Sequence, residues 1–193
     1  MADIVQTVMG VLTSQSARRI DFHLGLLHVD AAGLAAIHGL VALGGVRTEV
    51  ARFLQPGVGA EYNAATNTLR FPRRDYGAVA SEKATILHEC VHALHDVYGG
   101  GFFHPRGGSR FMTASENEAA AYVAGCLYHL YETGKPLTGD GTIFYYAGKI
   151  AKRIMNQRGA FVTTDEADEL RRAVVDDPTY RIGFSTPTTA NGL

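Results

Sequence analysis

Apolar residues recur every three to four positions over several long stretches of this chain and alternate over only a few short ones, a pattern that predicts mostly helix with a small sheet. Residues 29–43 (VDAAGLAAIHGLVAL) are rich in Ala and Leu at helical spacing and run into Gly44-Gly45, the glycine stop of a buried helix. Residues 46–54 (VRTEVARFL) alternate apolar and polar side chains until Gln55-Pro56-Gly57 breaks the run. Glu61-Tyr62 and residues 68–71 (TLRF) flank a polar turn and are closed by Pro72, so they read as two short strands. These segments together predict a small antiparallel sheet.

After Ser81, an N-cap residue type, residues 82–98 carry Ile86, Leu87, Cys90, Val91 and Leu94 at helical period and end at Gly99-Gly100-Gly101. Residues 102–112 contain Pro105 and Gly107-Gly108 and predict a mobile loop, with a second helix following over 115–132. Residues 143–157 form an amphipathic pattern with a basic end. Residues 163–175 open with the capping box Thr163-x-x-Glu166 and stop before Pro178. The Thr-rich residues 179–193 predict an extended, weakly anchored tail. With no internal repeat, the expectation is one α+β domain over 1–193, predominantly helical, whose motif-bearing core covers about 46–133.

At 193 residues and 46% hydrophobic content the chain is long enough to bury a core without staples. Its 18 basic and 19 acidic side chains leave a net charge of −1, which provides no basic surface for nucleic acid or anionic lipid, and neither is expected as a partner. Cys90 and Cys126 both fall in apolar helical patterns and read as reduced core residues. No run of 18 apolar residues occurs and no basic segment precedes the apolar N-terminal stretch. The expectation is a soluble chain with no membrane segment, cytoplasmic by default, with secretion by a route that reads no cleavable signal left open.

Candidate chemistry is concentrated in the helix at 82–98, which contains His88-Glu89-Cys90-Val91-His92. Side chains at i and i+4 share one helix face about 6 Å apart along the axis, so His88 and His92 can grip one cation from the same side. Glu89 points about 100° away from His88, too far to ligate comfortably but near enough to reach a water on that cation. Neutral imidazoles suit Zn2+, and Glu89 then takes the role of general base.

The uncharged flanks in Thr85-Ile86-Leu87-His88-Glu89-Cys90-Val91-His92-Ala93-Leu94 make this segment resemble the signature of the zincin metallopeptidases. The metzincin extension needs Gly and His where this chain has His95 and Tyr98, so that subgroup does not fit. His95 as third ligand would demand convergence of i, i+4 and i+7 of one straight helix, and it reads instead as a supporting or core histidine. The remaining pattern resembles that of gluzincins of the thermolysin type, which implies a glutamate on the following helix as third ligand. Asn117-Glu118-Ala119, with Gly125 seven residues on, resembles that helix and designates Glu118, with Glu116 the alternative. Thr113-x-x-Glu116 and Ser115-x-x-Glu118 are also both capping-box patterns, so either glutamate can instead close a helix N-terminus.

Gluzincins commonly carry Asp four residues after the ligand glutamate, where it orients a ligand histidine. This chain has Tyr122 there, and Tyr122 or Asp96 are the candidates for that work. The resemblance further implies a strand beside the site able to bind an extended substrate, assigned to residues 68–71. An oxyanion donor is expected among Tyr98, His104, Arg106, His129, Tyr145 and Tyr146. The function expected is zinc-dependent hydrolysis of a peptide bond in a peptide or protein substrate. The alternative is a catalytically silent zincin-like domain serving binding or regulation, or a secreted effector.

Overall fold

A computed structural model describes residues 3–54, 58–99, 112–139, 141–178, 180, 187 and 188. In chain order the elements are α1 (Ile4–Thr13), α2 (Gln15–Arg18), β1 (Asp21–Leu24), β2 (Leu27–Asp30), α3 (Ala31–Leu43), β3 (Arg47–Val50), β4 (Glu61–Asn63) and β5 (Thr68–Phe71). They continue as α4 (Ala80–Gly99), β6 (Met112–Thr113), α5 (Ala114–Thr133), α6 (Thr142–Ile154), β7 (Ala160–Phe161), α7 (Thr164–Asp176) and β8 (Pro187–Thr188). The architecture is α+β and mostly helical, as the hydrophobic pattern predicts.

The fold is organised around α4. Its Ile86, Leu87, Cys90, Val91, Ala93 and Leu94 are fully buried, and α1, α3, α5 and β4 all pack on it. A helix covered on several sides sits at the centre of a small core, and any polar group it carries inward must find a partner there. The closest neighbour is α5, where Gly125 brings the two backbones together. A Cβ at that position would stand 3.1 Å from the Ala84 carbonyl oxygen of α4. Cys90 and Cys126 are both buried and free, as expected.

Several boundaries differ from the pattern in the sequence, each for a local reason. Helix α3 begins at Ala31 because Asp30 caps it, its carboxylate accepting from the Gly33 N–H at 2.7 Å. Val29 instead belongs to β2, which pairs antiparallel with β1 across a two-residue turn at Gly25, where φ is +57°. Ser81 lies inside α4 and does not cap it; the Glu82 carboxylate reaches back to the Gly77 and Ala78 N–H groups at 2.8 and 3.0 Å. The glycine stop at Gly44 holds, with its φ at +76° and its N–H on Leu40 and Val41. The capping box at Thr163 and Glu166 forms as read.

The sheet beside α4 is mixed, which corrects the expectation of an antiparallel one. Its order is β3-β5-β4. The hairpin β4–β5 is antiparallel as predicted, but β3 joins the far side of β5 in parallel register, Arg47 opposite Thr68 and Val50 opposite Phe71. Alternation in residues 46–54 reports a half-buried strand and carries no direction, and the long connection from β3 to β5 permits a parallel crossover. Strand β5 is therefore central, with both edges paired, so residues 68–71 are not open to strand addition. A second sheet has the order β2-β1-β7, and β6 pairs with β8. The predicted tail is thereby tied to the N-terminal end of α5 through Pro187 and Thr188. The predicted break at 55–57, the glycines at 100–101 and all of the loop at 102–112 except Met112 lie outside the described residues. Among the described residues no helix is long and apolar enough to cross a membrane.

Candidate metal centre

Helices α4 and α5 bring three side chains to one point. His88 and His92 lie one turn apart on α4, and their Nε2 atoms are 3.1 Å from each other. From α5, Glu118 places Oε2 3.3 Å from His88 Nε2 and Oε1 3.5 Å from His92 Nε2. Two ligand atoms bound at 2.0–2.1 Å to one tetrahedral ion stand about 3.3 Å apart, so the three observed separations match the edges of such a polyhedron. Glu118 Oε2 is buried without a hydrogen-bond partner, an expensive state for a carboxylate oxygen and one that a cation at this point would relieve. Among the described residues this is the group of His, Cys, Asp and Glu able to hold a metal ion.

Glu116, the alternative ligand, is committed elsewhere. Thr113 is the N-cap of α5; its hydroxyl accepts from the Glu116 N–H, and the Glu116 carboxylate accepts from the Thr113 N–H at 2.8 Å. The other Glu116 oxygen faces Arg171 at 3.4 Å. Two residues along a helix is a rotation of about 200°, which sends Glu116 toward α7 and Glu118 toward α4.

Glu89 stands beside the triad. Its Oε1 is 4.0 Å from His88 Nε2, and its Oε2 accepts from the Tyr62 backbone N–H at 2.8 Å. That N–H points away from β5, so β4 gives the α4 side of its edge to the carboxylate. The strand is fixed in turn by the Tyr62 hydroxyl, which donates to Asp96 at 2.8 Å and lies 3.0 Å from the Asn67 amide. Asp96 thus holds the hairpin. Tyr122, the other candidate for orienting a ligand histidine, packs edge-on against the His88 ring at 4.6 Å. His95 is buried on α4, outside the triad, and its Nε2 has no partner among the described residues.

Burial dominates the electrostatics. It pushes the Glu89 carboxyl up to about 8, with His88 opposing and Glu118 adding to the rise. At Glu118 burial also works upward, but the two imidazoles outweigh it and hold the carboxyl below its ordinary range. Burial lowers His92, with Glu118 and the Asn117 side chain partly offsetting it. At His88 burial is overcome by Glu118 and Glu89, and its pKa is raised. A lowered pKa keeps His92 in the neutral form that ligates, and the Glu118 carboxylate offsets a cation's charge.

The centre opens into a cleft of about 650 Å³. One wall is the chain from Val58 to Tyr62, another is Leu137, Ile143 and Phe144, and the far side carries Tyr122, Asp177 and Tyr180. Among the described residues no Lys or Arg lines it. Of the expected oxyanion donors, Tyr98, His129, Tyr145 and Tyr146 are not in the lining; His129 bonds the Lys135 carbonyl and Tyr145 is 67% exposed. His104 and Arg106 lie outside the described residues. The phenols that do reach the cleft are Tyr62, Tyr122 and Tyr180. Tyr180 carries no signal in the sequence, since it follows Pro178 in a stretch without periodicity. In comparisons with protein-family models, with curated proteins and with solved structures, nothing matches this chain.

Proposed function

We propose that this chain is a zincin-like metallopeptidase in which His88, His92 and Glu118 hold Zn2+ and Glu89 is the general base. The observation that carries this reading is the convergence of three ligand atoms within 4.8 Å of one another, with the Glu89 carboxylate beside them at the head of an open cleft. A zinc ion held by three protein groups supplies Lewis-acid polarisation of a carbonyl and lowers the pKa of a water to about 7. The chain's own part is to place a proton acceptor next to that centre. Glu89 has one oxygen fixed by Tyr62 and the other directed at the His88 side, so the carboxylate is held at the reacting end without being a ligand.

A peptide substrate is favoured by the wall at 58–62, which leads into the edge strand β4, beside which an extended chain can lie. Among the described residues the cleft is lined by Glu61 and Asp177 and by no Lys or Arg, which favours neither nucleic acid nor an anionic lipid as substrate.

The test is Glu89→Gln. We expect zinc content equal to wild type and peptide hydrolysis reduced by about 10²–10⁴-fold, the range for lost general acid–base catalysis. Loss of zinc in this variant, or unchanged hydrolysis, removes Glu89 from the role assigned. Zinc binding by a wild-type protein that hydrolyses no peptide supports the silent, binding or regulatory alternative.

A further inference from the structure

The triad is bordered on its α5 side by two tyrosines that arrive from distant parts of the chain. Tyr122 is one turn after Glu118, and its ring packs edge-on against the His88 imidazole with centroids 4.6 Å apart. Tyr180 follows α7, and its hydroxyl is 2.7 Å from the Tyr122 hydroxyl. Tyr180 and Glu118 line the same cleft, and the hydrogen bond between the two phenols, in which either hydroxyl can be the donor, ties Tyr180 to the ring that packs on His88.

The backbone of Tyr180 is held at the end of α7. Its N–H donates to the Asp177 carbonyl at 3.0 Å, just past the end of α7. Beyond it, Pro187 and Thr188 pair with Thr113 and Met112, the residues that lead into the capping box of α5.

On these contacts, and resting on the metal site proposed above, we propose that Tyr180 is a positioning residue of the metal centre: lining the cleft with Glu118, it holds Tyr122 against His88, so docking of Tyr180 and binding of the metal ion are cooperative. Ligand residues are held in place by hydrogen-bonded partners, and deleting such a partner costs about 10–100-fold in metal affinity. Coupling is reciprocal, so an ion that binds better when Tyr180 is docked must also hold Tyr180 in place.

The experiment uses the full chain as wild type, Tyr180→Phe, Tyr122→Phe and, as a control, Tyr145→Phe on the exposed ring. Zn2+ affinity is read by competition with a chromophoric chelator, the ligand field by the visible spectrum of the Co2+ form, and docking by amide exchange at Tyr180 with and without Zn2+. We expect Tyr180→Phe to weaken Zn2+ binding by about 10–100-fold, to shift the Co2+ bands and to abolish the zinc-dependent protection of that amide. Tyr122→Phe should give a smaller loss of affinity, and Tyr145→Phe none. Wild-type affinity and an unaltered Co2+ spectrum in Tyr180→Phe overturn this inference while leaving the proposed function intact. A wild-type protein that binds neither metal overturns both.

Discussion

The two sides of the cleft hold the centre by different means. The β4–β5 hairpin acts through its backbone: the Tyr62 N–H fixes Glu89, and the Tyr62 side chain only secures the strand to Asp96 and Asn67. The opposite side presents a side chain, the Tyr180 hydroxyl, bonded to the Tyr122 hydroxyl whose ring packs on His88. A backbone donor survives most substitutions at its own position, whereas a phenol is lost with one oxygen. The proposed general base thus rests on the more tolerant support and the proposed metal ligand on the more sensitive one.

The most severe way to break this comparison is to remove the backbone donor itself. Tyr62→Ala and Tyr62→Pro both lose the ring and hydroxyl, but only proline loses the N–H. Proline is tolerable at an edge whose N–H faces away from the ladder, as Tyr62 does. A hydrogen bond to a charged group is worth about 1.5–3 kcal/mol, so Tyr62→Pro should hydrolyse peptide about 10–100-fold more slowly than Tyr62→Ala. Zinc content should be equal in the two. Equal rates would show that Glu89 does not depend on the strand.

A smaller effect separates the two sides by pH. The chain from the hairpin into α4 is fastened by Glu82, which accepts from Arg73 and from the Gly77 and Ala78 N–H groups. Burial pushes its carboxyl up, but these partners outweigh it and hold the pKa below the ordinary value. A carboxyl depressed in the folded state adds stability above its unfolded pKa, about 4.3, and that contribution is lost as the pH falls through the folded value. Acid should therefore loosen the hairpin side first, while the phenols of the other side do not titrate. We expect Glu82→Gln to be less stable than wild type at pH 7 and to lose less stability between pH 5 and 3, by urea unfolding. Parallel losses would contradict this assignment.

Helices α4, α5 and α7 are legible in the sequence because their apolar period and capping boxes are local. The hairpin β1–β2 is not read there, although Phe22, Leu24, Leu27 and Val29 alternate around Gly25, because Val29 continues smoothly into the apolar residues of α3. In the centre, His88, Glu89 and His92 are fixed by spacing on one helix. Glu116 and Glu118 both satisfy a capping pattern, and the choice depends on Thr113 being the cap, with Ser115 inside the helix. Asn117 beside His92 and Tyr180 beside Glu118 answer to tertiary packing. The Tyr122–Tyr180 contact spans 58 residues, and no local pattern encodes it.

The most direct test of the central claim is metal content of purified wild type, His88→Ala, Glu118→Ala and Glu116→Ala by elemental mass spectrometry. The account predicts about one zinc per chain in wild type. It predicts zinc lost from His88→Ala and Glu118→Ala but retained in Glu116→Ala, whose cost is the capping interaction, about 0.3–1.5 kcal/mol of stability. Zinc retained in Glu118→Ala and lost from Glu116→Ala, or a folded wild type that takes up no zinc when it is offered, would contradict it.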